Sequence, residues 1–199
     1  FFIMSKAEKT RQFIIEKTAP IFNQKGYAGT SLSDLTEATG LTKGSIYGNF
    51  ENKDEVAIEA FKFNVKKLQE IFKNEIENQS TYKEKLLVYP TIYSEYFTTL
   101  FLNGGCPILN TAIEADDTHP VLKEAANNAI QFWKNQIIYA INKGIDAGEF
   151  KAQNINPETT ALSMIATIEG AIMITKLSGK MNNLSTIMLS VQKLIEELV

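Results

Sequence analysis

Ser31-Leu32-Ser33-Asp34-Leu35-Thr36-Glu37-Ala38-Thr39-Gly40-Leu41-Thr42-Lys43-Gly44-Ser45-Ile46-Tyr47-Gly48-Asn49-Phe50 is the stretch on which the fold turns. Ser31, with Asp34 three places on, reads as a capping box opening a short helix through Thr39, and Gly40 closes it. Thr42 caps the next helix, from Lys43 to about Phe50. Only Gly40-Leu41-Thr42 separate the two, which is the spacing of a helix-turn-helix. Leu32, Leu35, Ala38, Leu41, Ile46 and Phe50 give the pair one apolar side. At 100° per residue, Ile46 and Phe50 turn inward together while Gly44, Ser45 and Gly48 share the opposite face, the one shaped to enter a major groove.

Upstream, Ile14, Thr18, Ile21 and Phe22 form one inward stripe of a first helix that ends at Lys25-Gly26, with a bend expected at Pro20. Downstream, Asn52-Lys53-Asp54-Glu55 caps a fourth helix running to about Asn78. Further helices are expected over Tyr82 to Leu102, Pro107 to Asp116, Pro120 to Ala147, Pro157 to Leu177 and Leu184 to Leu198, separated by Gly, Pro and Asn clusters. No run shows strand alternation. The expected fold is all-α with about nine helices: a three-helix helix-turn-helix domain over residues 1–51 and a larger helical domain over 52–199.

The chain has 199 residues, 44% hydrophobic and 22% charged, which suits one or two folded domains. Twenty Lys and Arg against 23 Asp and Glu leave a net charge of −3, so contact with nucleic acid must come from a local patch. The patch lies in the head, where Lys6, Lys9, Arg11, Lys17, Lys25, Lys43 and Lys53 outnumber Glu8, Glu16, Asp34, Glu37 and Glu51. One Cys and one His leave no ligand set for a structural zinc site and few acid/base constellations, so no metal, no cofactor and no catalytic residue is expected. No stretch reads as a membrane span, and Phe1-Phe2-Ile3-Met4 is too short for a signal peptide's apolar region. A cytoplasmic protein is the expectation.

Within the head, Thr30, Ser31 and Thr42 offer hydroxyls and helix-start amides to phosphates, Lys43 and Lys53 offer cations, and Tyr47 offers a phenol beside the groove face. Two glycines on that face leave few long base-reading side chains. Readout is therefore expected through Lys43, Ser45 and Tyr47, with close backbone approach at Gly44 and Gly48 and a share for DNA shape. Asn49 lies toward the flank, where it meets phosphate.

Arg11 through Phe61 resembles the DNA-binding domain of TetR-family transcriptional repressors. The resemblance is carried by Phe22-x-x-x-Gly26-Tyr27-x-x-Thr30-Ser31-Leu32-x-x-Leu35 and by Gly40-Leu41-Thr42-Lys43-Gly44-Ser45-Ile46-Tyr47-x-x-Phe50-x-x-Lys53-Asp54. Many members carry a large polar or aromatic side chain where Gly48 stands. The resemblance implies a homodimer whose first three helices bind double-stranded operator DNA. It further implies that the larger domain takes a small-molecule effector and that the last two helices build the dimer. Gly105-Cys106-Pro107-Ile108-Leu109 with Ala112-x-Glu114 is similar to the start of the sixth helix in the branch controlling drug and electrophile resistance.

Residues 82–139 are rich in aromatics, and Tyr89, Tyr93, Phe97 and Trp133, with Cys106, are candidates to line an effector pocket. Core packing is the alternative role for each ring. The segment holds no cation cluster, so the expected effector is largely apolar or aromatic. The helix from Pro157 is apolar nearly all round and needs cover on two sides. This places a dimer seam at or near Ile172, Met173, Ile187, Met188 and Val191. Cys106 and His119 lack an orienting carboxylate and an oxyanion site. Cys106 reads as a buried thiol, with effector contact or redox and electrophile sensing as its other roles. Competing functions are an all-helical enzyme and an adaptor without operator binding.

Overall fold

The computed structural model describes residues 5–100, 104–151, 153 and 155–199, and among these the side chains of all but 96–100. The described residues form nine helices and no strand: α1 Lys6–Gly29, α2 Leu32–Thr39, α3 Lys43–Tyr47, α4 Lys53–Glu77, α5 Tyr82–Leu100, α6 Pro107–Ala115, α7 Pro120–Asp146, α8 Pro157–Ser178 and α9 Asn182–Glu196. Local chemistry sets most of these ends. Ser31 and Asp34 make the reciprocal capping box, and Gly40 closes α2 at φ 67°. Asn156 Oδ1 accepts from the amides of Glu158 and Thr159 to start α8.

Most ends fall within two residues of the sequence expectation, and two in the head differ in kind. α3 stops at Tyr47, and the chain turns through Gly48 with the Asn49 amide donating to Ile46 O. α1 breaks where expected, at Gly26, but another turn follows before Thr30. Gly26 adopts φ 73°, ψ 177°, a region open essentially to glycine alone.

The chain divides into two compact units. One comprises residues 1–67 and 103–127, the other 68–102 and 128–199. These packing units cut across the functional boundary at residue 51 suggested by the motif. α4 and α7 contribute residues to both.

The first unit is built on Ile14, Ile15, Ala19, Phe22, Leu35, Ile46, Phe50, Val56, Ala57 and Ala60. The start of α4 therefore belongs to the same core as the helix-turn-helix. α6 joins this unit against α1. In the second unit α9 packs on α5 and α8. Glu149 accepts from the amides of Tyr82 and Lys83 at the start of α5, and the Lys151 amide donates to Leu198 O. By length and composition α8 is apolar enough to cross a membrane, as the core helix of a folded domain also is. It carries the buried Glu169, and many of its side chains are buried within the chain.

Candidate nucleic-acid interface

The exposed side of α3 is made as the wheel requires. Ile46 and Phe50 are buried, whereas Lys43, Gly44 and Gly48 are exposed, with Ser45, Tyr47 and Asn49 half-buried at the edge. Thr42 Oγ1 accepts from the Ser45 amide, and Ser31 Oγ both accepts from the Asp34 amide and donates to its carboxylate. Lys25 Nζ lies 2.6 Å from Asp34, and these contacts hold that carboxyl down at about 2. Asn49 Nδ2 donates to Ser45 O, which directs the side chain back along its own turn. Thr30 departs from its expected role. It is buried, and its Oγ1 donates to Gly26 O at 2.6 Å, so the hydroxyl closes the end of α1 and does not face a phosphate.

Two residues to which the sequence reading assigned no contact of their own hold this surface in place. Arg11 Nη1 donates to Asn49 O at 2.6 Å, its Nη2 meets Glu55 at 2.7 Å, and its guanidinium lies 4.1 Å above the Phe50 ring. Tyr27 donates its hydroxyl to Asp54, an interaction that pushes its own pKa up to about 12. Lys53 Nζ lies 4.4 Å over the same ring, and the His119 ring meets it edge-on at 4.8 Å. His119 Nδ1 accepts from the Leu122 amide, which leaves Nε2 facing Asp54 at 4.0 Å.

The profile for "Bacterial regulatory proteins, tetR family" matches residues 14–60, and that for "Tetracyclin repressor-like, C-terminal domain" matches residues 83–191, more than half of the chain. The chain belongs to the TetR family. A curated TetR-type relative, the HTH-type transcriptional repressor DhaR of Mycobacterium sp. (strain GP1), is 30% identical over 82% of this chain and 80% of its own length. A TetR-family transcriptional regulator from Cytophaga hutchinsonii superposes with a TM-score of 0.94 at 49% identity, covering 98% of both chains. A TetR regulator from Chloroflexus aurantiacus J-10-FL does so at 0.91 and 35%, again over 98% of both. TetR-family proteins are transcriptional regulators, not enzymes. They bind DNA and small-molecule effectors, typically as dimers.

In this TetR-family chain the second unit brings Tyr89, Tyr93 and Trp133 together, with Phe72 of α4 among them. Phe72 stacks on Tyr89 at 5.1 Å and lies 5.5 Å from Tyr93, and Trp133 is 6.1 and 6.2 Å from the two tyrosines. Burial pushes the Tyr89 phenol up, so it stays a neutral donor. Trp133 Nε1 is buried with no hydrogen-bond partner among the described residues. The Phe97 side chain lies outside the described residues. Cys106 is fully buried ahead of α6 and belongs to the first unit, whereas the aromatic cluster belongs to the second. A cleft of about 30 Å³ in the first unit, between α1, α4, α6 and the start of α7, has room for water and not for a drug-sized molecule.

Of the five seam candidates, Ile172, Met188 and Val191 are completely buried within the chain and serve its own core. Ile187 is half-buried and Met173 is 44% exposed. The large apolar side chains that α8 and α9 leave to solvent are Leu162, Met173, Ile174, Leu177 and Leu189, with Leu177 at 83%.

Proposed function

We propose that the chain is a ligand-responsive repressor that binds a palindromic operator as a homodimer and is released by a small, largely apolar or aromatic effector. The observation that carries this reading is the α3 surface: an exposed face of Lys43, Gly44 and Gly48 held rigidly from behind by Ile46, Phe50 and Arg11. Lys43, Ser45 and Tyr47 read the groove, and the glycines let the backbone approach the bases. Lys53 and Thr42 meet phosphates, and Ser31 and Asn49 join them by exchanging their bonds to Asp34 and Ser45 O for phosphate oxygens. In this reading residues 1–51 form the DNA-binding domain and 52–199 the effector and dimer domain.

The effector site is the cluster of Phe72, Tyr89, Tyr93 and Trp133, in which the indole N–H is a donor awaiting a polar atom of the ligand. α4 carries both Lys53 and Phe72 on one continuous helix and is the mechanical link. A 100-fold loss of operator affinity needs about 2.7 kcal/mol of coupling. The dimer seam runs along the α8 face that carries Leu162, Met173 and Leu177, where Gly170 has open space at its Cβ position, and takes in the exposed Leu189 of α9.

A gel shift against the DNA flanking the chain's own gene tests the reading. A two-fold footprint with half-sites about 34–36 Å apart and steep salt dependence is expected. Salt-independent binding, or a lone half-site, would falsify it.

A further inference from the structure

α6 reaches the DNA-binding head through two side chains one turn apart. Asn110 Nδ2 donates to Asn23 O, to Asn23 Oδ1 and to Gly104 O, and Asn23 Nδ2 answers by donating to Gly105 O. Glu114 does something more specific. Its two carboxylate oxygens accept from consecutive backbone amides, Oε2 from Tyr27 N at 2.7 Å and Oε1 from Ala28 N at 2.8 Å. The backbone at Gly26, φ 73° and ψ 177°, aims both amides the same way, and a Cβ at Gly26 would lie 2.4 Å from Glu114 Oε2. This corner of α1 is thus shaped around a carboxylate 87 residues further along the chain.

Tyr27 is where the contact becomes functional. Its backbone is held by Glu114, and its side chain holds the first two residues of α4: the hydroxyl donates to Asp54, and the ring lies under Lys53 Nζ. A cation poised over a ring has its direction set by that ring. Losing the carboxylate would leave two amides unpaired at a half-buried turn and free Tyr27 to shift.

We propose that Glu114 is a positioning residue for DNA binding: through Tyr27 it fixes where Lys53 presents its charge, so α6 takes part in placing a phosphate contact. This rests on the reading of Lys53 as a phosphate ligand. It predicts that a residue on the sixth helix, outside the helix-turn-helix sequence, changes the number of ion pairs made with DNA.

The probe is a self-complementary duplex enriched from a random pool on the wild-type protein, with affinity measured across a series of KCl concentrations. Lys53→Ala should lower the slope of log K against log [salt] by about one. Glu114→Gln, which keeps the shape and loses the charge, should lower it by a similar amount, and the double variant should lose no more than Lys53→Ala alone. A Glu114→Gln protein that melts earlier but keeps the wild-type slope overturns the proposal, because the contact is then only structural. If Glu114→Gln does not fold, Tyr27→Leu removes the ring while leaving both amides on Glu114. The same loss of slope supports the route, and an unchanged slope overturns it. A full slope in Lys53→Ala removes the phosphate ligand and the inference, while operator binding stands. A wild-type protein that enriches no duplex overturns operator binding itself.

Discussion

Arg11 and Asn49, 38 residues apart, are joined by a 2.6 Å hydrogen bond from the guanidinium to the main-chain carbonyl that follows α3. The bond ties the exit of the reading helix to the first helix of the head. Arg11→Ala should cost roughly 1.5–3 kcal/mol of stability in a denaturant melt. It should also weaken operator binding under conditions where the protein is folded. Arg11→Lys should restore little, since one ammonium cannot reach Asn49 O and Glu55 while lying flat on Phe50. Full recovery in the lysine variant would contradict this account.

Tyr47→Ala and Lys43→Ala should each reduce operator affinity by roughly 1–3 kcal/mol. The two differ in kind. Tyr47→Ala should change which half-site bases are preferred, whereas a uniform loss over all sequences would place Tyr47 on the backbone and not in the groove. A binding series over single-base operator variants separates these outcomes.

Leu177→Glu places a charge at an 83%-exposed position and should yield a folded monomer with weak operator binding. Ile172→Glu puts the same charge into the core and should prevent folding. Light scattering with circular dichroism distinguishes the two. A Leu177→Glu dimer at micromolar concentration would move the seam elsewhere.

Asp34 has a folded pKa of about 2, below its usual value near 4, held there first by Lys25 and then by Ser31. Its contribution is therefore complete above pH 4 and lost as pH falls through about 2. Asp34→Ala should differ from wild type in melting temperature at neutral pH, and the difference should close over that acid window. Tyr27 has the opposite sign: raised to about 12, it stabilises fully below pH 10 and loses its contribution as pH rises through 12. The wild-type advantage over Tyr27→Phe should vanish in that alkaline range.

Much of the head was legible in the sequence because its signals are local. Ser31 and Asp34, Thr42, Gly40 and the Ile46–Phe50 spacing act within four residues of one another, and the structure realises each. Thr30 misled because a hydroxyl at a helix start has the same appearance whether it faces solvent or, as here, turns back to Gly26 O. The hold of Glu114 and Asn110 on α1 had no signal in the sequence, since their partners lie 87 residues away. α8 could not be oriented by pattern either. It is apolar nearly all round, so spacing does not distinguish Ile172, which faces inward, from its neighbour Met173, which faces out.

The first unit is not continuous along the chain. Residues 1–67 supply its first part and 103–127 its second, with α5 made in between. On the ribosome the Tyr27 and Ala28 amides therefore emerge well before the carboxylate that will bind them. At roughly 5–20 residues per second, synthesis from residue 67 to the end of α6 at Ala115 takes on the order of 2–10 s. During that interval the helix-turn-helix exists without α6, and a nascent chain stalled before Gly104 carries an incomplete reading head. Fragments ending after α4, a natural choice for isolating a DNA-binding domain, reproduce that unfinished state instead of the finished one.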